Sequence, residues 1–383
     1  MAPELLALSG VLTLLAVHPF TTYPASLAAL ARLAPRSPRR AELSANTRVA
    51  LCVCAYNEAR IIRDKAENML ALRRALPDLE LMIYVDAASD GTAAILHDYA
   101  DRIRVVVSNE RRGKTYGMNT LVATTNAEFV VFSDANVMFA PDAIARLLRP
   151  FADPAVGCVC GHLIYRAAED SATAATGSIY WRLEEAIKEL ESRTGSTMGA
   201  DGSIFAIRRV LHHAPPADII DDMFVSLSIL CDGFRVVRVA DALAYEETVS
   251  RPQEEFRRKI RISCQAFNVH RLLRARLRRL SPLDRYKYFS HKLLRWMSGY
   301  LLAIAVISFI GALTDMDAWR ALAVVFALSL GTTAVGVTRP DSVPGKLLDV
   351  AAAFLATSFG VIRSIRGERF QTWTPPASAR SGS

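Results

Sequence analysis

Oxygen-bearing side chains follow three apolar runs of strand length in the first half of the chain. They are Tyr56-Asn57-Glu58, Asp86-Ala87-Ala88-Ser89-Asp90 and Ser133-Asp134-Ala135-Asn136. A single group of this kind is often only a turn, because Asp, Asn and Ser favour turns through local hydrogen bonds. Three strand ends that all carry carboxylates indicate instead one shared site that binds through oxygen ligands.

A basic loop and an acidic pair lie outside these strand ends. The loop, residues 111–115 (RRGKT), looks like the end of a phosphate-binding P-loop, but that motif requires glycine where this chain has Ser108. The sequence therefore excludes a P-loop and leaves a basic loop. Asp221 and Asp222 open a predicted helix, where an acidic residue can also act simply as a helix cap.

The elements that must position these groups alternate between strands and helices. The predicted strands cover residues 49–56, 79–85, 103–108 and 128–133. The predicted helices cover residues 58–76 and 114–125, and a further helix opens near Gly91. Near-continuous apolar strands joined by helices indicate a parallel sheet that is covered on both faces. Ligands of such sheets bind beyond the carboxyl ends of the strands, where the polar groups lie.

Apolar residues are concentrated at the two ends of this 383-residue chain, of which 51% is hydrophobic. Residues 4–33 are long enough to span a bilayer, although His18-Pro19 and Pro24 predict a kink. No basic region precedes this segment, so a membrane anchor is favoured over a cleaved signal peptide. A cluster of arginines follows it, which places the middle of the chain in the cytoplasm by the positive-inside rule.

Three further apolar segments, residues 296–313, 321–337 and 347–362, lie near the C-terminus. An acidic turn after the first fits an external loop, and a basic turn after the second fits an internal one. If the last segment crosses the membrane, Arg363, Arg366 and Arg369 fall on the external side, against the charge rule. We therefore expect this segment either to span the bilayer or to lie in its interface.

Six cysteines and a formal net charge of +8 raise two other kinds of site. The pairs Cys52/Cys54 and Cys158/Cys160 lie in strand-like runs, where both members of a pair share one face, and no histidine has the spacing of a zinc ligand. We expect reduced, buried cysteines. Much of the basic excess lies in residues 257–279, where it fits anionic lipid headgroups, and no nucleic-acid-binding motif accompanies it.

The order of the motifs resembles glycosyltransferase family 2. The chain presents AYNE at residues 55–58, DAASDGT at 86–92, RRGKTYGMN at 111–119, SDAN at 133–136 and DD at 221–222. The resemblance extends over residues 49–291. It implies the GT-A fold, an α/β, Rossmann-like domain that binds nucleotide-sugars, here with flanking transmembrane helices. Membrane-embedded members of the family build or modify bacterial polysaccharides.

The resemblance also implies a donor site. Asp134 and Asn136 match the metal-binding D-x-D position of the family, with a neutral amide in place of the second acid. They would hold Mg²⁺ or Mn²⁺ on the diphosphate of a nucleotide-sugar, expected to be a UDP-sugar. Asp86 matches the acid that receives the nucleobase N–H. The other donor-site residues that the resemblance implies are Tyr56, Glu58, Arg112 and Lys114.

The same resemblance implies an acceptor site and a base. Asp222 matches the second acid of the family's E-D or D-D motif, and would remove the proton from an acceptor hydroxyl. Residues 197–209 resemble the glycine-rich acceptor loop. The acceptor-site residues implied in this way are Gly199, Asp201, Gly202 and Asp221.

Residues 257–261 take the place of the Q-x-x-R-W segment of processive synthases in this family. The Gln and Trp of that segment are absent, which argues against long-chain processive polymerisation. Arg258 and Arg261 are still expected to steady the leaving diphosphate.

The sequence therefore predicts a membrane-bound inverting glycosyltransferase of bacterial polysaccharide synthesis that transfers a sugar to a hydroxyl of a glycan or a lipid-linked saccharide. Two alternatives stay open. One is a polyprenyl-phosphate glycosyltransferase, whose phosphate acceptor needs no general base. The other is a non-catalytic sugar-nucleotide sensor. A nicotinamide-dependent dehydrogenase is disfavoured, because no G-x-G-x-x-G follows the first strand.

The predicted organisation has four parts along the chain. These are an N-terminal membrane segment with a basic linker (1–42), a cytoplasmic catalytic domain (43–290), C-terminal transmembrane or interfacial helices (291–365) and a polar tail (366–383). The expected location is the inner membrane of the cell. Expected partners are the nucleotide-sugar, a glycan or lipid-linked acceptor, membrane lipids and polysaccharide-assembly proteins, with no nucleic acid.

Overall fold

A large α/β domain occupies the middle of the chain, and long apolar helices lie at both ends. This is a computed structural model, and it describes residues 1–42, 44, 46–167, 173–248 and 252–372. Most of the predicted polar tail, residues 373–383, therefore lies outside the described residues.

One mixed sheet forms the centre of the α/β domain. In the described residues its strands are β1 (Val49–Ala55), β2 (Glu80–Asp86), β3 (Arg104–Ser108), β4 (Phe129–Asp134), β5 (Val137–Phe139), β6 (Val156–Ala167), β7 (Ile204–Arg208) and β8 (Arg235–Thr248). Their order across the sheet is β3-β2-β1-β4-β7-β6-β8-β5. The strands β1 to β4 agree with the four predicted strands to within one residue at each end, and they pair in parallel as predicted.

The second half of the sheet differs from the parallel sheet that the sequence predicts. The strand β7 pairs antiparallel with both β4 and β6, and β5 pairs antiparallel with β8. The reversal has a simple cause: Ile204 pairs with Ser133, so β7 enters the sheet at the edge where β4 ends. Because β6 and β8 run parallel to each other and opposite to β7, the end of β8 returns to this same edge.

The helices connect the strands and extend the chain at both ends. In the described residues the α-helices are α1 (Ala2–Val17), α2 (Thr22–Leu33), α3 (Ile62–Leu72), α4 (Thr92–His97), α5 (Lys114–Thr124), α6 (Ala143–Leu148), α7 (Thr173–Arg193), α8 (Asp221–Cys231), α9 (Pro252–Leu277), α10 (Pro282–Tyr288), α11 (Leu294–Asp315), α12 (Trp319–Thr338) and α13 (Val343–Ile365). The helix predicted to begin at Glu58 begins at Ile62, because the chain first makes a turn after β1.

The sheet is buried on both faces, as its apolar strands predict. Along β1, Leu51 and Val53 lie in one core with α3, whereas Cys52 lies in a second core with α5 and α8. Cys158 and Cys160 also lie in this second core. Cys52, Cys158, Cys160 and Cys264 are buried as expected, whereas Cys54 and Cys231 are half-buried.

Four helical segments of the described chain are long and apolar enough to cross a membrane. They are Ala2–Phe20, Pro282–Asp315, Trp319–Thr338 and Val343–Ile365. The predicted kink is present, because a short 3-10 turn at His18–Phe20 separates α1 from α2. Helix α1 packs against α11, and α13 packs along α9. Whether α13 crosses the bilayer or lies in its interface stays a prediction.

The segment that follows α13 returns to the α/β domain. We call residues 367–372 the C-terminal strap. The Asn268 Nδ2 on α9 donates a hydrogen bond of 2.9 Å to the backbone carbonyl of Glu368 in the strap. Further along, the Gln371 Nε2 donates one of 3.1 Å to the backbone carbonyl of Arg112. The strap therefore joins the last apolar helix to the basic loop.

Candidate active site

The loop that follows β1 contacts its neighbours at the carboxyl edge of the sheet. Asn57 has a φ of 54°, and its side-chain carbonyl accepts a hydrogen bond of 2.7 Å from a backbone N–H of the loop after β2. The Glu58 backbone N–H donates to Thr92 Oγ1 at 2.8 Å. The Arg111 guanidinium stacks on the ring of Tyr56, with Cζ 3.7 Å from the ring centroid. Glu58 thus lies beside the loop that follows β2, and Tyr56 lies beside the basic loop.

Asp86 at the end of β2 fixes the basic loop. Its Oδ1 accepts a hydrogen bond from the Arg112 N–H at 2.7 Å, and its Oδ2 accepts one from the Gly113 N–H at 2.9 Å. Gly113 has a φ of +89°, a conformation that favours glycine, and it leads directly into α5 at Lys114. The acid predicted to meet the nucleobase therefore also positions the start of the helix that carries Lys114.

Lys114 joins two separate parts of the chain. Its Nζ lies 2.7 Å from Oδ1 of Asp134 at the end of β4 and 3.7 Å from Oδ2 of Asp221 on α8. Burial lowers the pKa of Lys114, but Asp134, Asp221 and Asp222 outweigh this effect and hold the pKa above its ordinary value. The ammonium therefore stays charged and sits among three carboxylates.

Asp222 lies in the first turn of α8, and its carboxylate packs against Gly202 of the predicted acceptor loop. Burial raises the pKa of Asp222 to about 7, the charge of Asp221 adds to the increase, and Lys114 opposes it. The N-cap of α8 is Ile220, so neither aspartate is the residue that caps this helix. A carboxylate that titrates near neutral pH suits a general base.

Asp221 carries an unusual atom for a buried carboxylate. The residue is 6% exposed, and its Oδ2 has no hydrogen-bond partner among the described residues. Buried carboxylate oxygens are normally hydrogen-bonded, because an unpaired one is costly. This oxygen therefore depends on the charge of Lys114, whose Nζ lies 3.7 Å away.

Asp134 and Asn136 lie on the turn between β4 and β5, and a third acidic residue approaches them from β8. The Asn136 Nδ2 donates a hydrogen bond of 2.9 Å to Glu246 Oε1. Burial raises the pKa of Glu246 to about 7, and the charge of Asp134 adds to the increase. Glu246 belongs to none of the motifs that the sequence presents.

The oxygen atoms at this edge fit a hard divalent cation. A carboxylate from Asp134 and an amide from Asn136 are the ligand types that Mg²⁺ and Mn²⁺ accept, and the unsatisfied Asp221 oxygen lies beyond Lys114. Among the described residues no three His, Cys, Asp or Glu side chains are grouped closely enough to hold an ion alone. A bound Mg²⁺ would therefore complete its shell with diphosphate oxygens and water, as is usual for this ion.

Lys65 on α3 holds the turn between β4 and β5 through hydrogen bonds, and no motif in the sequence marks it. Its side chain is fully buried, and its Nζ donates to Ser133 Oγ at 2.9 Å and to the Val137 carbonyl at 2.5 Å. These two residues flank the turn that carries Asp134 and Asn136. Burial lowers the pKa of Lys65 to about 7, against the opposing effect of Asp134.

Glu191 on α7 holds the beginning of the predicted acceptor loop, and sequence reasoning missed it as well. The side chain is fully buried. Its Oε2 accepts hydrogen bonds from Thr197 Oγ1 at 3.1 Å and from the Met198 N–H at 2.9 Å, while its Oε1 lies 2.7 Å from His291 Nδ1. This contact connects the loop to the segment that leads into α11.

The predicted acceptor-loop residues take different environments. Gly199 has a φ of +123°, so the loop turns in a conformation that favours glycine. The Asp201 carboxylate lies 3.4 Å from Lys188 Nζ on α7. Gly202 lies against Asp222. Gly202 therefore leaves room for the predicted base, and its role in acceptor binding stays a prediction.

Arg258 and Arg261 lie one turn apart on α9. Burial lowers the pKa of Arg258, but Tyr165, Glu255 and Glu246 outweigh it and raise the pKa above its ordinary value. Burial lowers the pKa of Arg261 to about 10, and the charge of Arg258 adds to the decrease. Arg258 therefore lies on the Glu246 side of the site, and both arginines are partly buried.

Comparison with known proteins agrees with this architecture. Residues 46–265 match the family described as glycosyltransferase like family 2. The chain is 25% identical over 301 residues to an N-acetylglucosaminyltransferase of Rhizobium sp. (strain N33), which covers 74% of this chain and 66% of the relative. A poly-beta-1,6-N-acetyl-D-glucosamine synthase of Staphylococcus epidermidis is 27% identical over 117 residues, 30% of this chain and 28% of the relative.

A solved structure resembles the whole fold. The mannosyltransferase PcManGT from Pyrobaculum calidifontis, in complex with GDP-Man and Mn²⁺, superposes with a TM-score of 0.73 over 95% of this chain and 99% of the other, at 22% identity. Because the family match covers more than half of the chain, the chain belongs to glycosyltransferase family 2. Its α/β domain has the GT-A fold with apolar helices on both sides, and the family places it among the transferases.

Proposed function

We propose that this chain is a membrane-bound inverting glycosyltransferase that moves a sugar from a nucleotide-sugar to a hydroxyl group of a glycan or a lipid-linked saccharide. The observation that carries the proposal is the ion-pair cluster at Lys114, whose Nζ lies 2.7 Å from Asp134 and 3.7 Å from Asp221. The cluster brings together the predicted metal position, the predicted phosphate-binding cation and the helix that carries Asp222.

The donor would bind along the carboxyl edge of the sheet. In this proposal Asp86 accepts the nucleobase N–H, Lys114 and Arg112 face the phosphates, and a UDP-sugar is the expected donor. PcManGT was solved with GDP-Man, so the choice between uracil and guanine is a point for experiment. A bound Mg²⁺ or Mn²⁺ on Asp134 and Asn136 would neutralise charge on the diphosphate.

Asp222 would supply the base of a single displacement. Its carboxylate takes the proton of the acceptor hydroxyl while the acceptor oxygen forms a bond to the anomeric carbon. The bond from that carbon to the diphosphate oxygen breaks at the same time, and the nucleoside diphosphate leaves with the electron pair. One displacement from the opposite face inverts the configuration of the anomeric carbon. The pKa of Asp222, about 7, leaves the base partly ionised at neutral pH.

The curated relatives support a place in polysaccharide synthesis. They include N-acetylglucosaminyltransferases and poly-beta-1,6-N-acetyl-D-glucosamine synthases. The four apolar helices support a membrane location, and the arginines after residue 31 support a cytoplasmic catalytic domain in the inner membrane. Membrane lipids and polysaccharide-assembly proteins are the partners that this location implies.

The test uses the full chain purified in detergent with Mn²⁺ and a panel of UDP-sugars and GDP-sugars. The measured quantity is release of nucleoside diphosphate, with and without added oligosaccharide acceptors. We expect one UDP-sugar to give release that increases with acceptor and is lost on chelation. Binding of nucleotide-sugar by calorimetry without any release, across the panel, would favour a sensor and overturn the proposal.

A further inference from the structure

The predicted metal position of this chain lacks one negative charge. The second ligand of the predicted motif is Asn136, a neutral amide, so Asp134 is the carboxylate that the motif itself supplies. Binding of hard cations strengthens with the charge of their oxygen ligands. A neutral second ligand should weaken the site unless another carboxylate replaces the missing charge.

Glu246 lies close enough to Asn136 to supply a carboxylate to the same site. It pairs with Val137 across the antiparallel contact of β5 and β8, so it stands beside the turn that carries Asn136. The Asn136 Nδ2 donates to Glu246 Oε1 at 2.9 Å. Because the amide nitrogen faces Glu246, the two side chains form a connected pair of oxygen-bearing groups.

Arg258 acts on Glu246 electrostatically, without a direct ion pair between them in the described residues. In the described part of the chain, no cation lies within ion-pair distance of the Glu246 carboxylate, and Asn136 is its hydrogen-bond donor. Arg258 on α9 itself pairs with Glu255 at 3.8 Å. The carboxylate is therefore available to a cation that is not part of the protein.

A second observation concerns Asp221, which shares the contact with Lys114 that Asp134 makes. The Asp221 Oδ2 is buried, with no hydrogen-bond donor among the described residues, and it lies 3.7 Å from Lys114 Nζ. Lys114 contacts Asp134 more closely, at 2.7 Å. Asp134, Asp221, Asp222 and Glu246 thus bring four carboxylates to a region where Lys114 is the cation in contact with two of them.

We propose that Glu246 supplies the second carboxylate of the divalent-cation site and compensates for the neutral Asn136. The inference rests on the proposed function, since it assumes a metal-dependent nucleotide-sugar site at Asp134. The second carboxylate ligand would then come from β8, more than a hundred residues after the motif, and not from residue 136.

The test measures Mn²⁺ affinity by electron paramagnetic resonance on the full chain in detergent, in the presence of UDP and without turnover. Glu246→Gln keeps the shape and removes the charge, and we expect the dissociation constant for Mn²⁺ to rise by about tenfold or more. The matched control is Glu247→Gln. Glu247 is the next residue of β8, is exposed and points to the other side of the strand, so its replacement should leave the affinity unchanged.

Charge replacement makes the test specific. In Asn136→Asp/Glu246→Gln the missing charge returns at the motif position, and we expect Mn²⁺ affinity to recover to within about threefold of wild type. If Glu246→Gln alone does not purify as a folded protein, the effect of Glu246 is measured in the Asn136→Asp background instead. The double variant should then bind Mn²⁺ about tenfold more weakly than Asn136→Asp.

The outcomes separate this inference from the proposed function. Wild-type affinity in Glu246→Gln, or no recovery in the double variant, overturns the role of Glu246. If Asp134→Asn loses Mn²⁺ binding while Glu246→Gln keeps it, the proposed function stands and this inference fails. If the wild-type chain binds no Mn²⁺ with UDP, the metal-dependent function itself fails.

Discussion

The Asp222 carboxylate occupies the space that a side chain at residue 202 would need. A Cβ atom at Gly202 would lie 2.5 Å from Asp222 Oδ2, closer than real carbon and oxygen atoms approach. Gly202→Ala should therefore displace the carboxylate, and we expect kcat/KM to fall by about 100-fold or more, because small misplacements of reacting groups are this costly. The control is Gly91→Ala, where a Cβ meets its nearest atom at 3.8 Å and should be tolerated. Equal activity of the two variants would contradict the proposed placement of the base.

Replacement of Asp222 itself should separate chemistry from binding. Asp222→Asn removes the proton acceptor, and transfer to a sugar hydroxyl should fall by about 10²–10⁴-fold. Affinity for UDP with Mn²⁺, measured by calorimetry, should stay within a few-fold of wild type. Transfer to a polyprenyl phosphate needs no base, so a variant that keeps full activity on such an acceptor would favour the polyprenyl-phosphate alternative.

The pH dependence should report the environment of Asp222. Burial and the charge of Asp221 raise its pKa to about 7, so the base is protonated below that pH and kcat/KM should rise with pH until it levels off above it. Asp221→Asn removes the repulsion that favours the protonated form, so the rising limb should move to lower pH. Initial rates with a hydroxyl acceptor between about pH 5.5 and 9 measure both profiles. An unshifted limb would argue against coupling of the two aspartates.

Lys114 should matter for the donor more than for the fold. Its pKa lies above the ordinary value, so it is charged throughout the working range of pH and can face the diphosphate. Lys114→Gln should weaken UDP binding by about tenfold or more, because it removes a charge-assisted contact and leaves Asp134 and Asp221 to repel each other. Lys259 on α9, whose side chain is 42% exposed, gives the control, since Lys259→Gln should leave UDP affinity unchanged. Titration calorimetry decides between these outcomes.

Lys65 should act through the turn that it supports. Lys65→Met removes the hydrogen bonds to Ser133 Oγ and the Val137 carbonyl, so the turn between them loses its anchor. We expect Mn²⁺ affinity to fall by about tenfold, the size of effect that outer ligands of metal sites produce. Arg63→Met on the exposed face of α3 is the matched control. The proposed support would be wrong if both variants bound Mn²⁺ equally well.

The parallel half of the fold could be predicted because its strands are apolar runs, and β1, β2 and β4 are buried on both faces. Each of β1 to β4 is a near-continuous apolar run, and parallel strands end at one edge, so Asp86 and Asp134 were expected to lie close together. The link between them is the basic loop: Asp86 holds Gly113, and the next residue, Lys114, contacts Asp134. The position of Asp222 in the first turn of α8 also follows the predicted helix.

The antiparallel half could not be predicted in the same way. The direction of β7 depends on where the acceptor loop ends, which is a long-range property that local hydrophobic patterns do not encode. Glu246 escaped attention for this reason, since its neighbour Val137 lies on a strand more than a hundred residues earlier. Strand pairing, and not spacing along the chain, brings the two together.

The buried charged residues Lys65 and Glu191 could not be predicted from motifs. Lys65 lies three residues after Ile62 and four before Met69, on the apolar face of α3, and this position was the available signal. Glu191 sits in the charged stretch EEAIKELESR, which reads as a solvated helix, yet Glu191 is four residues after the fully buried Ile187. A charged residue at helical spacing from buried apolar residues therefore indicates a buried charge with a structural contact.

The C-terminal strap makes the basic loop of the site depend on the apolar helices near the C-terminus. Residues beyond α13 reach back to bond with the backbone of Arg112, next to the glycine that Asp86 holds. A fragment shortened before the apolar helices to ease purification would lose this support along with its attachment to lipid.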